Sequence, residues 1–288
     1  MSLGIYNKPY NEVEKIIIDN CQDYLKDPNR SYISPFKIVG NLYYVGDKSV
    51  CAHLIDTGAG LILFDAGYQH TIHLLENSIR ELGFNLNDVK WLIVSHGHFD
   101  HFGACNEFRK KYGIKVFMSK IDSQTLIKNP RAGLLDMYKN PNATLPIIDY
   151  EFNDGEVLKL GNTKIKCVIS KGHSPGTTSF FFDVFDSDKT YKVGYFGGVG
   201  FLTLYKDFLK KYDLPLSLRT DFLVTLNSLK GKKVDITLGN HPIHNHTLEK
   251  RDKMLKNEDE NPFINASEWD ENLKIIKKDY LEFIKKDY

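Results

Sequence analysis

Residues 89–101 read VKWLIVSHGHFDH, so an apolar, β-rich run ends directly in three histidines and an aspartate. The apolar half is typical of a buried β-strand. His96 and His98 alternate, so both imidazoles can point to one side of an extended segment. Asp100 and His101 are adjacent, which suits ligands that diverge towards a second metal. Because imidazole and carboxylate are ligand types that Zn²⁺ favours, this density of them after a hydrophobic strand predicts a metal site rather than surface histidines.

Two further histidines follow strand-like segments in the same way. His173 lies in a Gly-His-Ser-Pro-Gly turn after a strand that ends at Ile169. His241 lies in a Gly-Asn-His-Pro turn after a strand that ends at Leu238. Strand ends are common places for binding sites. Together with the cluster at 96–101, these histidines complete two sets of three protein ligands, each of which leaves a position open for water.

The remaining sequence alternates strand-like and helical segments and predicts a mixed α/β fold with two sheets and helices outside. Strands are predicted at residues 37–45, 50–56, 61–65, 89–95, 114–118, 156–160, 163–169, 178–185, 191–196 and 233–238. Helices are predicted at residues 9–26, 71–82, 121–127, 217–230 and from about 265 onward. The polar, proline-containing segment 128–146 is predicted to form a long surface loop that can flank an active site.

The chain has no internal repeat, low-complexity segment or Gly/Ser-rich linker, which favours a single domain over residues 1–288. We expect an N-terminal helical extension (1–35) and a C-terminal helix (265–288) that packs on the core. Glu268, three residues after Asn265, suggests a capping box at the start of that helix. An apolar stripe at helical spacing indicates core packing rather than a cofactor or partner site, and consists of Trp269, Leu273, Ile276, Tyr280 and Phe283.

Composition and charge exclude several classes of function. Thirty-eight basic and 37 acidic residues give a net charge of +1, which offers no electrostatic case for nucleic acid or a membrane surface, so we expect a small-molecule substrate. No apolar run approaches the ~20 residues that span a bilayer. The start of the chain lacks signal-peptide features, which slightly favours the cytoplasm, although Met1-Ser2-Leu3 would also fit an expression scar that replaced a leader. Oligomeric state has no signal in the sequence.

The histidine motifs resemble those of the metallo-β-lactamase superfamily. The signature of that family is His-x-His-x-Asp-His at a strand end, a later histidine in a Gly-His-x-Pro-Gly turn, and a last histidine after a late strand. All three occur here in order, and the segments NLYYVG (41–46) and LFDAG (63–67) also match, so the resemblance covers roughly residues 36–284. It implies an αβ/βα four-layer sandwich, with two mixed sheets, helices outside, and metals in a groove at one edge of the sheets.

The resemblance also implies two Zn²⁺ ions per chain. The first ion would be held by His96, His98 and His173. The second would be held by Asp100, His101 and His241. Asp65, at the end of its own strand, would be a carboxylate that orients a ligand histidine, although a simple turn-forming aspartate remains an alternative.

The sequence lacks one metal ligand that many members of the superfamily have, and this absence narrows the choice among its groups. Many of its hydrolases, including glyoxalase-like thioesterases, acyl-homoserine lactonases and phosphodiesterases, bridge both metals with an aspartate in a Gly-Asp step. Here residues 194–200 read GYFGGVG and offer no carboxylate, nor the serine that the third β-lactamase subclass often carries there. The cysteine of the first subclass and the asparagine that replaces His96 in the second are also absent. The pattern is therefore most similar to the third subclass of class B (zinc) β-lactamases.

The function that this resemblance implies is a zinc-dependent hydrolase that opens a cyclic amide or ester through a metal-bound hydroxide, with a β-lactam as the best specific substrate. Asp100 would be the catalytic carboxylate that orients the hydroxide. A lactonase or thioesterase of the same superfamily and an iron-using redox relative are the alternatives. A non-catalytic binding protein is a third hypothesis, against which the intact set of six ligands argues.

A further group of polar residues lies beside these motifs in the sequence. The candidates for substrate contact are Ser174, Thr177, Tyr195, Asn240, His244 and Asn245. Ordinary hydrogen bonding within the loops is an equal alternative for each of them. His244 and His246 follow Pro242 and are expected to face solvent.

Overall fold

The computed structural model of the protein describes residues 3–256 and 260–286, and they form two β-sheets with helices outside them. The strands of the first sheet are β1 (Phe36–Val39), β2 (Leu42–Tyr44), β3 (His53–Asp56), β4 (Leu61–Phe64), β5 (Val89–Ile93), β6 (Lys115–Ser119) and β7 (Tyr150–Phe152). The strands of the second are β8 (Val157–Leu160), β9 (Thr163–Ile169), β10 (Thr178–Asp186), β11 (Lys189–Phe196) and β12 (Ile236–Gly239).

Ten α-helices connect and cover the strands within the described ranges. They are α1 (Tyr10–Lys26), α2 (Ile72–Glu81), α3 (Phe99–Phe102), α4 (Cys105–Tyr112), α5 (Lys120–Lys128), α6 (Leu135–Tyr138), α7 (Lys206–Lys211), α8 (Leu218–Leu229), α9 (Thr247–Leu255) and α10 (Glu268–Lys285). No helix in this part of the chain has the length and apolar character needed to cross a membrane. The cysteines, Cys21, Cys51, Cys105 and Cys167, are buried and form no disulfide.

Both sheets are mixed, as predicted. The first runs β1 to β7 in order, antiparallel from β1 to β4 and parallel from β4 to β7. The second runs β12-β11-β10-β9-β8, in which β11 and β12 are parallel and the other pairs antiparallel. The carboxyl ends of β9, β11 and β12 therefore meet at one edge of the second sheet, as those of β4, β5 and β6 do in the first.

The side chains of β4 point alternately towards the other sheet and towards the helices, which shows how these layers pack. Ile62 and Phe64 belong to the apolar cluster between the sheets, where the Phe64 ring lies 5.0 Å from that of Phe180. Leu61 and Leu63 point the other way, into the cluster that carries the helices. Successive strand residues face opposite sides of a sheet, so β4 is buried on both faces. The αβ/βα sandwich that the motifs predict is confirmed.

The prediction of a long polar loop at 128–146 is wrong in part. A 3₁₀ turn at Pro130–Gly133 and helix α6 lie within it, and Leu134, Met137 and Tyr138 are buried. Their apolar side chains explain the difference, because Tyr138 stacks on Phe99 with ring centroids 4.8 Å apart. This segment is thereby fixed against the 96–101 turn.

Two boundaries also differ from the sequence interpretation. The run at 37–45 is a hairpin of β1 and β2, because Gly40 adopts a φ of +51° and approaches the backbone of Phe185 too closely for any Cβ. Helix α10 begins at Glu268 and forms no capping box, since the Glu268 carboxylate instead binds the Lys250 ammonium at 2.6 Å. The apolar stripe of α10 is fully buried.

Removing the buried Lys250–Glu268 ion pair tests what secures α10. We expect Glu268→Ala to lower the free energy of unfolding by about 3 kcal/mol, because it leaves a buried ammonium without a partner. Urea denaturation measures the change. Asp19→Ala, which breaks an exposed pair with Lys15, is the control and should leave the midpoint nearly unchanged. Equal effects of the two substitutions would contradict this role for the pair.

Candidate metal centre

The predicted ligands converge because each follows the carboxyl end of a strand. The 96–101 turn follows β5, His173 follows β9, and His241 follows β12. His96, His98 and His101 are buried, while His173 and His241 are partly exposed at the floor of a cavity. The structure therefore brings together residues that are up to 145 positions apart in the sequence.

Two pairs of imidazole nitrogens face each other in this cluster. The Nε2 atoms of His96 and His173 are 3.2 Å apart, and those of His101 and His241 are 3.3 Å apart. The Asp100 Oδ2 atom lies 3.4 Å from the Nε2 of His101 and 3.5 Å from that of His241. His98 completes the first set, since His96, His98 and His173 each offer a ligand atom, all within 4.8 Å of one another.

The opposite nitrogen of each ring fixes the tautomer. The Nδ1 of His173 donates to the Gly200 carbonyl oxygen at 2.8 Å, and the Nδ1 of His241 donates to the Ser49 carbonyl oxygen at 2.8 Å. A carbonyl oxygen only accepts, so Nδ1 carries the proton and Nε2 presents a lone pair.

The tautomers of His96 and His101 follow from Asp65. Its Oδ2 atom lies 3.0 Å from the Nδ1 of His101 and also accepts from the Ser95 hydroxyl, which in turn accepts from the Nδ1 of His96. The Nε2 atom of neutral His96 therefore presents a lone pair too, and the Nε2 atom of His101 does so once the ring has lost its second proton. Facing lone pairs repel one another unless a cation lies between them.

The spacing of these atoms fits metal ligands. With metal–ligand distances of 2.0–2.2 Å and tetrahedral angles, two ligand atoms of one ion lie ~3.3 Å apart. The nitrogen and oxygen atoms described above match that separation within a few tenths of an ångström. The donor set, three imidazoles in the first cluster and two imidazoles with one carboxylate in the second, therefore fits two adjacent metal ions.

Burial keeps most of these imidazoles neutral. It lowers the pKa of His173 to about 4 and also lowers the pKa values of His96, His98 and His241. His101 differs, since burial alone would lower its pKa but the carboxylates of Asp100 and Asp65 raise it to about 10. A metal ion at the second set has to displace that proton.

Asp122 is a functional residue that the sequence interpretation missed. Its buried carboxylate accepts from the Gly97 amide at 2.8 Å, the Gly176 amide at 2.6 Å and the Ser174 hydroxyl at 2.7 Å. It therefore joins the turn that carries His96 and His98 to the turn that carries His173. The only sequence signal is the Ser-x-x-Asp pattern at 119–122, which predicts a helix start rather than a site.

A cavity of about 220 Å³ opens above the cluster. Its floor includes His98, Asp100, His173 and His241, and its walls come from α1, from the 134–137 segment and from residues 200–203 and 242–244. His244 lines this cavity and bonds Asn240, whereas it was expected to face solvent; His246 is exposed as expected.

The other candidates for substrate contact lie outside the cavity lining, buried in the loops beneath it. Ser174 and Thr177 bond each other, and Tyr195 donates to Asp65. Asn240 donates to the Gly197 carbonyl and Asn245 to the Thr237 carbonyl. Each side chain is engaged within the protein, so these residues support the turns that carry the ligands.

Comparison with known proteins agrees with this geometry. The sequence model of the metallo-beta-lactamase superfamily matches residues 45–184. The native FEZ-1 metallo-β-lactamase from Legionella gormanii superimposes with a TM-score of 0.80 at 26% identity, over 89% of this chain and 97% of that one. The chain resembles the metallo-β-lactamase superfamily in its sequence and in its fold. It is accordingly a metal-binding hydrolase.

Other members of the superfamily resemble the chain to a similar degree. BJP-1, a subclass B3 metallo-β-lactamase of Bradyrhizobium japonicum, gives a TM-score of 0.76 at 26% identity, over 89% of this chain and 96% of that one. The hydroxyacylglutathione hydrolase GloC of Haemophilus influenzae is 28% identical over 184 residues, which cover 63% of this chain and 77% of the relative. The resemblance thus extends to hydrolases with different substrates.

The two buried carboxylates should affect metal binding differently. We expect Asp122→Asn to weaken zinc at the first set by 10–100-fold and to leave the second set unchanged, because the amide nitrogen would face a backbone N–H donor, that of either Gly97 or Gly176. Asp65→Asn should weaken both sets, because Asp65 contacts His101 directly and His96 through Ser95. Competition with a chromogenic chelator measures the stepwise dissociation constants.

Asp149→Asn is the matched control, because Asp149 pairs with Arg109 away from the ligands. It should bind zinc like the wild type. Loss of zinc from both sets in Asp122→Asn, or from neither, would contradict the division of roles.

Proposed function

We propose that this protein is a di-zinc hydrolase that opens cyclic amides or esters, with β-lactams as the substrate class to test first. The observation that carries the proposal is the pair of facing three-ligand sets with no carboxylate between them. Asp100 is the only carboxylate that lines the cavity in the described part of the chain. This ligand arrangement is most similar to that of the third β-lactamase subclass.

The turn after β11 supports this assignment by its shape. In many other hydrolases of the superfamily, this turn holds a bridging aspartate. Here a Cβ atom at Gly198 would lie only 2.8–2.9 Å from atoms of the His173 ring. A side chain at 198 would therefore force the His173 ring to shift, so the shape of this turn as well as its sequence disfavours a bridging carboxylate.

Each ligand residue has a definite task in the proposed reaction. His96, His98 and His173 would hold one zinc, and Asp100, His101 and His241 the other. When bound, the ions supply Lewis-acid polarisation of the scissile carbonyl and activation of water. Asp100 remains ionised, because neighbouring imidazoles outweigh the effect of burial and hold its pKa well below its usual range. Its carboxylate can therefore accept a hydrogen bond from the attacking water and orient it.

The cavity walls support an apolar substrate that carries a negative charge. Ile17, Leu134, Met137 and Leu202 line it, whereas Lys48 at its rim has no ion-pair partner among the residues the structure describes. An exposed ammonium at the rim of this cavity suits a carboxylate substituent on the substrate. A β-lactam combines an apolar body with such a carboxylate.

Thioester hydrolysis is the second candidate, because the sequence resembles the hydroxyacylglutathione hydrolase of Haemophilus influenzae. The missing bridging aspartate favours the cyclic amide over this alternative. It equally disfavours an iron-using redox centre, for which an additional acidic ligand is expected.

A substrate panel tests the proposal. The zinc-loaded protein should hydrolyse a chromogenic cephalosporin faster than an acyl-homoserine lactone or S-lactoylglutathione. His96→Ala should lose zinc and more than ~100-fold of the turnover, because it removes a direct ligand. His73→Ala, which changes an exposed histidine on α2 that bonds Asn29, is the control. Turnover of only the lactone or thioester would overturn the β-lactam assignment, and turnover that survives chelation would overturn the metal-dependent mechanism.

A further inference from the structure

The N-terminal segment forms part of the cavity wall. Tyr6 lines the cavity from a 3₁₀ turn at Leu3–Asn7, and its ring packs on Phe201 with centroids 5.2 Å apart. The Tyr205 hydroxyl holds the backbone of this segment, since it lies 3.2 Å from the Tyr6 carbonyl oxygen and 2.8 Å from that of Lys8. The position of Tyr6 is thus determined by both its ring and its backbone.

The Tyr6 hydroxyl lies beside the first ligand set. A Cβ atom placed on Gly200 would be 3.0 Å from the Tyr6 oxygen and 3.5 Å from the Cε1 atom of His173. The phenol and the imidazole therefore flank the same point in space, and Cε1 is bonded to the Nε2 atom that faces His96. Because residue 200 is glycine, no side chain separates the phenol from the ligand.

The hydroxyl is prepared to donate a hydrogen bond. The backbone amides of Phe201 and Leu202 face its oxygen, and burial raises the pKa of Tyr6 to about 12, so the proton is retained at neutral pH. No residue in the described part of the chain accepts that proton. A phenol that keeps its proton and has no acceptor within the protein can donate that proton to a bound ligand.

We propose that Tyr6 binds the substrate by donating its hydroxyl hydrogen bond to the carbonyl oxygen at the first ligand set. The inference rests on the proposed hydrolase function, and it adds a residue from the N-terminal extension to the site. A donor directed at an oxygen that gains negative charge in the transition state accelerates acyl transfer. The ligand class is any compound that presents a carbonyl oxygen to this metal.

A purely structural role makes a different prediction. If Tyr6 has only a structural role, packing of its ring on Phe201 is sufficient, and loss of the hydroxyl should not change ligand binding. Tyr6→Phe keeps the ring and removes the hydroxyl, so it separates the two roles. Tyr10→Phe is the matched control, because Tyr10 lies nearby on α1 but its hydroxyl bonds Glu14 and does not line the cavity.

Acetohydroxamate is a suitable probe because its carbonyl oxygen binds zinc without hydrolysis. We expect the zinc-loaded Tyr6→Phe protein to bind acetohydroxamate about 10-fold more weakly than wild type, with unchanged zinc content and melting temperature. Tyr10→Phe should bind it like wild type. For any substrate that the panel identifies, Tyr6→Phe should lower kcat on the order of 100-fold, with a smaller effect on KM.

The outcomes separate this inference from the proposed function. Equal hydroxamate affinity in Tyr6→Phe and wild type, or no hydroxamate binding by the zinc-loaded wild type, overturns the role of Tyr6. Failure of the whole substrate panel overturns the proposed function, and the hydroxamate titration still decides whether Tyr6 binds a carbonyl ligand.

Discussion

Pairs of imidazole Nε2 atoms face one another across 3.2 and 3.3 Å, and the rest of the site maintains this opposition. Without a cation the pairing of neutral His96 and His173 is unfavourable, because two lone pairs point into one gap. The acceptors at Gly200, Ser49 and Asp65 hold one proton of each ring on the far nitrogen, so neutral His96 and His173 cannot donate to each other, and His101 alone carries a second proton, which a metal ion displaces. The side chains are thus oriented to bind metal ions rather than to form hydrogen bonds with one another.

The sandwich provides this arrangement through its strand ends. Asp65, the 96–101 turn and Asp122 follow adjacent parallel strands of one sheet, and His173 and His241 follow the facing edge of the other. Asp65 adopts a φ of +58°, an unusual conformation for a residue with a side chain, which the hydrogen bonds around it stabilise. The aromatic core reaches the site directly, because the buried Tyr195 between the sheets donates to Asp65.

The sequence predicted the fold class and the residues that the structure clusters, because the signal for both is local. An apolar strand and the histidines that directly follow it are neighbours in the sequence and in the structure, so the sequence pattern alone locates them. Asp122 and Tyr6 were missed because their roles depend on contacts with residues far along the chain. For the same reason the sequence could not decide between substrate contact and loop hydrogen bonding for Asn240 and Asn245, since proximity to a ligand in the sequence does not reveal which way a side chain points. The polar and charged residues around 134–138 likewise led to the prediction of a surface loop, although Leu134, Met137 and Tyr138 are buried.

The central claim is that the two facing sets bind two metal ions side by side. Anomalous diffraction at the zinc absorption edge, from crystals of the zinc-loaded protein, tests it most directly. The account predicts two peaks per chain, one ~2.1 Å from the Nε2 atoms of His96 and His173 and one ~2.1 Å from those of His101 and His241. A single peak, or peaks away from these nitrogens, would contradict it.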